Sequence, residues 1–334
     1  MTPHPPLVVV LGAAGFVGSA VFRELARHPI RLRAVSRRKT PLPHDARADI
    51  EVLCADLTQP GQMAAAVAGA DVVIHSLAYI AGASTWRIAD GDTVAERVNV
   101  GLMRDLLRAL AERSGTQQPP TVLFTGSVTA VGPTDKEVLD GTEPDRPQGE
   151  YERQKLAAER LLLDADAAGT VRGACLRLTT VYGYSAGSTT RDKGIVSSMA
   201  RRAVAGEPLT MWHDGTVRRD LLHVDDVARA FWDAVPRMDA LAGKRWLIGT
   251  GQGAPLGPVF TRVSELVSAQ TGRQPVPVVS VTPPDYAETR DFRSVIIDSS
   301  PFQAATGWKP RVSLDEGLRL TTQFCSSGRE AELS

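Results

Sequence analysis

A glycine-rich turn near the amino terminus constrains the fold more than any other feature of the sequence. The segment VVVLGAAGFVGSAVFRELA places Gly12, Gly15 and Gly18 directly after an aliphatic run and at the start of a helical pattern. In a β-α-β unit, glycines at this spacing permit a tight turn, close approach of a pyrophosphate and close packing of helix on strand. The N–H groups at the helix start favour an anion. The spacing therefore predicts a dinucleotide site, with an ordinary glycine-rich turn as the alternative.

Short aliphatic runs alternate with helical patterns through the first half of the chain. The runs cover residues 7–12, 31–36, 50–56, 71–78, 121–127 and 173–179. Such runs suit a parallel sheet covered on both faces, and β-α alternation predicts right-handed crossovers. We expect an α/β fold, a Rossmann-type doubly wound parallel sheet, in residues 1–179 plus about 220–250. A smaller, interleaved C-terminal substrate lobe would hold about 180–219 plus 251–330.

Composition argues against several other classes of protein. The 334 residues include 38 basic and 38 acidic side chains, so the net charge of zero does not indicate a nucleic-acid partner. No apolar run is long enough to span a bilayer, and the six histidines form no ligand cluster, so we expect neither a membrane span nor a metal. Cys54, Cys175 and Cys325 are far apart and predict buried free thiols in a reducing, cytoplasmic setting.

The residues after the second aliphatic run indicate which dinucleotide binds. NAD sites usually place an acidic residue there to accept from the ribose 2′-OH, but this chain has Ser36, Arg37 and Arg38. Guanidinium groups match a 2′-phosphate, so we expect NADPH/NADP rather than NAD, with a solvated basic turn as the alternative. Asp56 follows the third run and would face the adenine amino group or cap a turn. The predicted cofactor contacts are Gly12, Gly15, Phe16, Val17, Gly18, Ser36, Arg37, Arg38, Asp56, Leu57, Leu77, Ala78, Tyr151 and Lys155.

Three residues suggest proton-transfer chemistry beside that cofactor. Ser127 ends a predicted central strand, and Tyr151 and Lys155 follow in the segment GEYERQK, one helical turn apart. A nearby ammonium would lower the pKa of the tyrosine, making Tyr151 a general acid or base, and Ser127 would hydrogen-bond a reacting carbonyl oxygen. Taken alone, Ser127 could cap a turn and the Tyr/Lys pair could decorate a surface helix.

Further motifs follow in order along the chain: ADL, DVVIHSLA, RVNVGLMRDLL, YERQK, LRLTTVYG, RRDLLHVDDVARA and ATGWKPRVSLDEGL. With the glycine turn and Ser127 they resemble the extended short-chain dehydrogenases/reductases, the NAD-dependent epimerase/dehydratase family, from about Leu7 to Leu320. The resemblance implies that Asn99 braces the active-site lysine through water and counts as catalytic. It also implies a homodimer through helices near 93–113 and 150–168. The substrate contacts that it implies are Thr180, Tyr182, Arg219 and Arg290, with Arg219 on the substrate diphosphate.

Two departures from the family pattern narrow the reaction. Val131 replaces a usual tyrosine, and Val128 and Thr129 stand where 4,6-dehydratases place an Asp-Glu pair, so water elimination is not expected. The segments STWRIADGD, GEPLTMWHDGTVRRDLLHVDDVARAFWDAV and DFRSVIID are similar to 4-ketoreductases of bacterial deoxysugar biosynthesis, whose products decorate antibiotics. That similarity implies NADPH-dependent reduction of the C4 keto group of a dTDP-4-keto-6-deoxyhexose. An NAD-dependent nucleotide-sugar epimerase and a non-catalytic NADP-sensing regulator are the alternatives.

Four other residues carry weaker expectations. We expect His75, at the end of a core strand, to be a hydrogen-bonded structural residue. His223 would be structural or would orient the loop that bears Arg219. Trp86 and Trp212 would either line the sugar pocket or fill the gap between the lobes.

Overall fold

A seven-stranded parallel sheet forms the centre of the computed structural model. The structure describes residues 5–79, 88–112, 118–184, 187–188, 190–284, 287, 289–329 and 333, with the backbone alone at 289 and 290. The sheet strands are β1 (Leu7–Leu11), β2 (Arg31–Ser36), β3 (Asp49–Cys54), β4 (Val72–His75), β5 (Thr121–Ser127), β7 (Arg172–Leu178) and β11 (Lys244–Ile248). Their order is β11-β7-β5-β4-β1-β2-β3, so the order reverses between β1 and β4. In doubly wound sheets, ligands bind at that switch point.

Helices cover both faces of the sheet. The helices are α1 (Phe16–Ala26), α2 (Gln62–Ala66), α3 (Thr93–Glu96), α4 (Leu102–Ala111), α5 (Glu150–Ala167), α6 (Ile195–Ala205), α7 (Val224–Ala234), α8 (Met238–Leu241), α9 (Leu256–Thr271), α10 (Ser300–Thr306) and α11 (Leu314–Ser326). On one face α1 and α7 pack together over Val8, Val10 and Ile74. On the other face α2, α4 and α5 cover Val9 and Phe124. Burial on both faces explains why these strands are almost continuously aliphatic.

A smaller lobe is built mainly from residues that follow β7 in the chain. Its strands are β8 (Thr180–Tyr182), β9 (Leu209–Met211), β10 (Arg218–His223), β12 (Gly253–Pro255) and β13 (Val278–Ser280), while β6 (Val138–Leu139) pairs with β14 (Ile296–Ile297). Helices α6, α9 and α11 pack on one another and form a separate core with these strands. Helix α6 ends at Gly206, whose φ of +79° is the left-handed conformation that favours glycine at a helix end.

The predicted α/β doubly wound fold is confirmed, and several element bounds agree with the sequence patterns. The predicted strands 31–36 and 121–127 have these bounds in the structure, and the terminal helix begins at Leu314. The helical region expected near 93–113 is interrupted by a π-helical segment, Arg97–Gly101, between α3 and α4. The residue division between the two lobes stays a prediction. Among the described residues, no helix is both long and apolar enough to cross a membrane.

One prediction about the cysteines is wrong. Cys175 and Cys325 are buried, but Cys54 is exposed because it ends the edge strand β3. Its Sγ donates to the carbonyl oxygen of Arg37 at 3.1 Å. An edge position on the sheet leaves one side of the strand open to solvent, which an aliphatic run alone does not reveal.

Candidate functional site

The glycine turn joins β1 to α1 at the switch point of the sheet. Gly12 has a φ of +89°, and the N–H of Gly15 donates to its carbonyl oxygen at 2.8 Å. A Cβ on Gly18 would lie 2.1 Å from the carbonyl oxygen of Gly12, so the helix can approach the strand only with glycine there. The first turn of α1 contains no acidic residue, so its N–H groups face an anion without competition from a carboxylate.

Residues directly after β4 pack against the glycine turn. Ser76 Oγ donates to the carbonyl oxygen of Leu11 at 2.7 Å and would lie 2.5 Å from a Cβ on Gly18. Leu77 is half-buried beside Gly12, and Ala78 is exposed. The sequence reasoning missed Ser76. The available signal was a small polar residue directly after the carboxyl end of a buried strand, where ligand sites form in such sheets.

The basic segment after β2 lies beside the glycine turn. Arg38 Nη2 donates to Thr190 Oγ1 at 2.9 Å and to the carbonyl oxygen of Ala14 at 3.4 Å. Thr190 Oγ1 also donates to Ala14 at 2.5 Å, so a residue of the smaller lobe touches the turn. Ser36 is buried, and its hydroxyl donates to the carbonyl oxygen of Arg38 at 2.5 Å. Ser36 therefore holds the segment in place, while Arg37 is exposed on the surface.

Asp56 and Leu57 follow the third strand. Asp56 Oδ1 accepts from the backbone N–H of Thr58 at 3.0 Å and from its hydroxyl at 2.7 Å. These bonds, with a smaller contribution from Arg37, lower the pKa of the exposed Asp56 carboxyl. Asp56 therefore caps a turn through its Oδ1 oxygen, as the alternative interpretation expected. Leu57 is buried in the core between the sheet and helices α2, α4 and α5, so its side chain is not available to a ligand.

Ser127 ends β5 and opens a 3-10 turn, Val128–Val131. Its Oγ lies 2.8 Å from Thr129 Oγ1 and accepts from the backbone N–H of Thr129 at 3.3 Å. The capping alternative is therefore real for this serine. Because the side chain is also half-exposed at the carboxyl end of a central strand, it can both cap the turn and meet a ligand.

Helix α5 begins at Glu150 and brings Tyr151 and Lys155 to the same buried side. Tyr151 is 9% exposed and packs with Ile88 and Ala95. Lys155 is 3% exposed, and its Nζ lies 4.3 Å from the centre of the Phe124 ring on β5. The ammonium thus lies over the middle of β5, the strand that ends at Ser127.

The predicted pKa shift of Tyr151 has the wrong sign. Burial raises the pKa of Tyr151, and the charge of neighbouring Glu152 raises it further. The cost of burying a phenolate exceeds the attraction expected from Lys155. Burial lowers the pKa of Lys155 from 10.5 to about 8, opposed by Cys175 and Glu159. The tyrosine is thus a protonated donor at neutral pH.

Asn99 lies in the π-helical segment and is 1% exposed. Its Nδ2 donates to Gln154 Oε1 at 2.8 Å, and its Oδ1 accepts from the backbone N–H of Tyr79 at 2.7 Å. Gln154 Nε2 in turn donates to Glu150 Oε1 at 2.8 Å. The buried amide of Gln154, for which no role was predicted from the sequence, links Asn99 to the helix that bears Tyr151 and Lys155. This pairing depends on tertiary packing, so no local signal could have found it.

The candidate substrate residues fall into different environments. Arg219 on β10 is half-buried, and its guanidinium donates to the carbonyl oxygens of Asp291 (3.0 Å) and Arg293. Burial lowers its pKa. Thr180 is half-buried on β8. The side chain of Arg290 lies outside the described residues.

The predicted substrate contact of Tyr182 does not fit its environment. Tyr182 is 1% exposed, and its hydroxyl donates to the carbonyl oxygen of Leu314 at 3.4 Å. A Cβ on Gly317 would lie 2.1 Å from that hydroxyl, so the ring is enclosed by α11. Tyr182 belongs to the core of the smaller lobe, where it packs in one cluster with buried side chains of α6, α9 and α11.

Asp220 fixes the position of the strand that bears Arg219. Its buried carboxylate accepts backbone N–H bonds from Thr250 (2.8 Å), Gly251 (3.0 Å) and Ile297 (3.1 Å). Backbone donors surround this carboxylate on several sides, which compensates its burial. The carboxylate therefore ties the strand that bears Arg219 to the backbone at residues 250, 251 and 297.

The histidines and tryptophans received weaker predictions. His223 Nδ1 accepts from the backbone N–H of Asp225 at 3.3 Å and caps α7, a structural position. His75 is fully buried, but within the described part of the chain neither ring nitrogen has a hydrogen-bond partner, so the expected hydrogen-bonded state is wrong. Burial and the charge of Lys155 lower the pKa of His75 to about 3. Trp86 lies outside the described residues, and Trp212 is half-buried.

Comparison with known proteins identifies the family of this site. The model of the NAD dependent epimerase/dehydratase family matches residues 8–249. The chain belongs to this family. Within this epimerase/dehydratase family, dTDP-L-rhamnose 4-epimerase of Burkholderia thailandensis is 26% identical over 93% of this chain and 92% of the relative. The dTDP-6-deoxy-L-talose 4-dehydrogenase (NAD(P)(+)) of Kitasatospora kifunensis is 25% identical over 95% of each chain.

A solved structure extends this family likeness to the whole fold. MoeE5 in complex with UDP-glucose and NAD superposes with a TM-score of 0.77 at 28% identity. The match covers 97% of this chain and 99% of MoeE5. The likeness in fold therefore extends through both lobes, and the chain is an enzyme of the nucleotide-sugar-modifying short-chain dehydrogenase/reductase type.

Proposed function

We propose that this epimerase/dehydratase family member reduces the C4 keto group of a dTDP-4-keto-6-deoxyhexose with NADPH. The observation that carries the proposal is the position of Arg38, whose guanidinium lies beside the glycine turn at Ala14. A charged fork there suits a ribose 2′-phosphate, and the carboxylate typical of NAD sites is missing after β2. A reductase must exchange spent cofactor at every turnover, and NADPH is a reductant that suits such exchange.

The residues present fit a dinucleotide. The close contact of Gly18 with Gly12 leaves the backbone of the turn open to a pyrophosphate, and the start of α1 offers the N–H groups of Phe16 and Val17. Arg38 would hold the 2′-phosphate, and Lys155 the nicotinamide ribose. When bound, the cofactor supplies the hydride.

The side chains of this chain would orient the substrate and deliver the proton. Arg219 would bind the diphosphate, with Arg290 and Thr180 as further proposed contacts. The C4 carbonyl oxygen would accept hydrogen bonds from Ser127 and Tyr151. As hydride adds to carbon C4, the negative charge grows on the oxygen, and the Tyr151 hydroxyl transfers its proton there, which leaves an alcohol and a phenolate. The raised pKa of Tyr151 keeps it protonated before the reaction, as a general acid requires.

The pH dependence of kcat/KM should follow Lys155. Its pKa of about 8 means that the ammonium is present below this pH and is lost above it, while Tyr151 stays protonated. We expect kcat/KM for reduction to fall about tenfold per pH unit above about pH 8. In Lys155→Arg the overall rate drops, but this alkaline decline should move upward, because arginine stays charged. A wild-type profile that is flat to pH 10 would contradict the assignment.

Arg38→Ala should remove the preference for NADPH. Charge-assisted hydrogen bonds contribute about 1.5–3 kcal/mol, so we expect NADPH affinity to fall about 10- to 100-fold and NADH affinity to change less than about twofold. Fluorescence titration of the reduced nicotinamide measures both. Lys39→Ala is the matched control, since it removes the same charge from an exposed neighbour. If both variants lose the same NADPH affinity, the loss comes from the overall positive charge, and Arg38 does not bind the 2′-phosphate specifically.

An NAD-dependent nucleotide-sugar epimerase is the second candidate. The similarity to dTDP-L-rhamnose 4-epimerase and to NAD-bound MoeE5 favours it. An epimerase of this kind retains its cofactor through turnover, so purified protein would contain NAD. The deciding experiment measures retained nicotinamide in the purified protein, then NADPH and NADH oxidation on addition of dTDP-4-keto-6-deoxy sugars. The reductase proposal expects no retained NAD and oxidation of NADPH.

The homodimer and the cytoplasmic location stay predictions.

A further inference from the structure

Within the part of the chain that the structure describes, the Ser127 hydroxyl has two close polar contacts, and both are with Thr129. The hydroxyl oxygen of Thr129 lies 2.8 Å from Ser127 Oγ, and the backbone N–H of Thr129 donates to the same atom at 3.3 Å. Thr129 itself is exposed on the open side of the turn. Thr129 stands where 4,6-dehydratases place an acidic residue, and it has no role in the reduction proposed above.

The turn that bears Thr129 is rigid, so this geometry is built in. Val128 and Val131 on either side are 7% and 3% exposed and pack with Leu139 and Ile297. The N–H of Arg146 donates to the carbonyl oxygens of residues 130 and 131 at 3.1 and 3.2 Å. Packing and hydrogen bonds on both sides thus fix the backbone at 127–131, and with it the distance between the two hydroxyl groups.

A serine hydroxyl has one proton to donate and two lone pairs to accept hydrogen bonds. The N–H of Thr129 occupies one lone pair. Between the hydroxyl groups of Ser127 and Thr129, either one can be the hydrogen-bond donor. A substrate carbonyl oxygen, in contrast, can only accept a hydrogen bond. When such an oxygen accepts a hydrogen bond from the Ser127 hydroxyl, the Thr129 hydroxyl can donate into the second lone pair of Ser127 Oγ. Ser127 then has no acceptor capacity left.

We propose that Thr129 is a positioning residue that makes Ser127 a donor-only group toward the substrate oxygen. The inference rests on the proposed reduction at Ser127 and Tyr151. It deepens that proposal by giving the site a preference for a ketone over the corresponding alcohol. A ketone oxygen accepts from both Ser127 and Tyr151 and has no proton of its own. The product alcohol finds no acceptor at Ser127, and none at Tyr151 once the phenolate formed in the reduction has regained a proton. Product release is favoured at that point.

Two substitutions separate the hydroxyl from the shape of the side chain. Thr129→Val keeps the shape and the backbone N–H but removes the hydroxyl, and Thr129→Ser retains the hydroxyl. We expect Thr129→Val to lower kcat about 5- to 10-fold, with KM for the sugar and for NADPH within about twofold, and Thr129→Ser to stay near wild type. Thr134→Val makes the same chemical change away from Ser127 and should leave kcat unchanged.

Binding measurements test the preference itself without turnover. With NADP⁺ present, isothermal titration compares the dissociation constants of a dTDP-4-keto-6-deoxyhexose and its 4-hydroxy counterpart. The wild type should bind the ketone more tightly, and Thr129→Val should lose about fivefold of that ratio while Thr129→Ser keeps it. An unchanged ratio in Thr129→Val would overturn the inference. A raised KM with unchanged kcat would also overturn it, since Thr129 would then contact the substrate directly.

These results separate the two proposals. Absence of NADPH oxidation by the wild type contradicts the proposed reduction, while the binding ratio still reports on Thr129. Normal reduction with an unaltered ratio in Thr129→Val contradicts only the role of Thr129. Failure of the wild type to bind either sugar contradicts both.

Discussion

Replacing Tyr151 by phenylalanine should lower kcat for NADPH-dependent reduction by about 10²- to 10⁴-fold, the usual contribution of a positioned general acid. NADPH affinity should change by less than about twofold, because the variant loses only one hydroxyl. Stopped-flow absorbance of NADPH gives the rate, and nicotinamide fluorescence gives the affinity. The loss is large because Tyr151 is buried and held protonated, so water has little access with which to replace its hydroxyl.

Tyr182→Phe provides the matched control for Tyr151→Phe. It makes the same chemical change on a tyrosine enclosed by α11, so kcat should stay within about twofold of wild type. This control also tests the correction that placed Tyr182 in the core. Near-normal turnover by Tyr151→Phe would remove Tyr151 from the mechanism. NADPH binding by a wild type without any turnover would instead favour the regulator alternative.

Arg177→Met should cost about 3–5 kcal/mol of unfolding free energy, because it removes one side of a buried ion-pair network. Arg177 on β7 is 1% exposed and donates to Glu159 at 2.6 and 2.8 Å and to Asp145 at 2.6 Å. Without the guanidinium, the carboxylate of Glu159 is buried beside Cys175 with no strong cation bonded to it. Urea unfolding followed by circular dichroism measures the change.

Arg245→Met is the control for that network. Arg245 also donates to Asp145, at 3.2 Å, but its side chain is 37% exposed. Exposed ion pairs contribute about 0–1 kcal/mol, so we expect a loss of at most about 1 kcal/mol. If both variants lose the same small free energy, the buried network does not stabilise the fold. The result bears on the site as well, because Glu159 and Cys175 are the groups that oppose the lowered pKa of Lys155.

Local signals in the sequence were sufficient for the architecture. Aliphatic runs such as 121–127 predict buried parallel strands because both of their faces are covered, and glycine spacing predicts the turn because Gly18 must pass within reach of Gly12. The start of α5 at Glu150, directly before Tyr151, also followed from local pattern. Each of these features depends on residues that are close in the sequence.

The structure differs from the sequence predictions where segments that are distant in the sequence come into contact. The sign of the pKa shift of Tyr151 depends on how completely other segments cover the ring, and the enclosure of Tyr182 depends on Gly317 in α11. The contact of Arg38 with Thr190 joins residues that are 152 positions apart in the sequence. Burial and long-range pairing of this kind have no periodic signal in one sequence, so the structure was needed to find them.

Transfer of deuterium from NADPH to the sugar tests the central claim most directly. The protein is incubated with a dTDP-4-keto-6-deoxyhexose and NADPH that carries deuterium at the transferable position of nicotinamide carbon C4, and the product is analysed by NMR. The account predicts one deuterium at sugar carbon C4 and one NADP⁺ formed for each product molecule. Conversion of a 4-hydroxy nucleotide sugar into its C4 epimer without deuterium uptake or NADPH consumption would contradict the account and establish the epimerase.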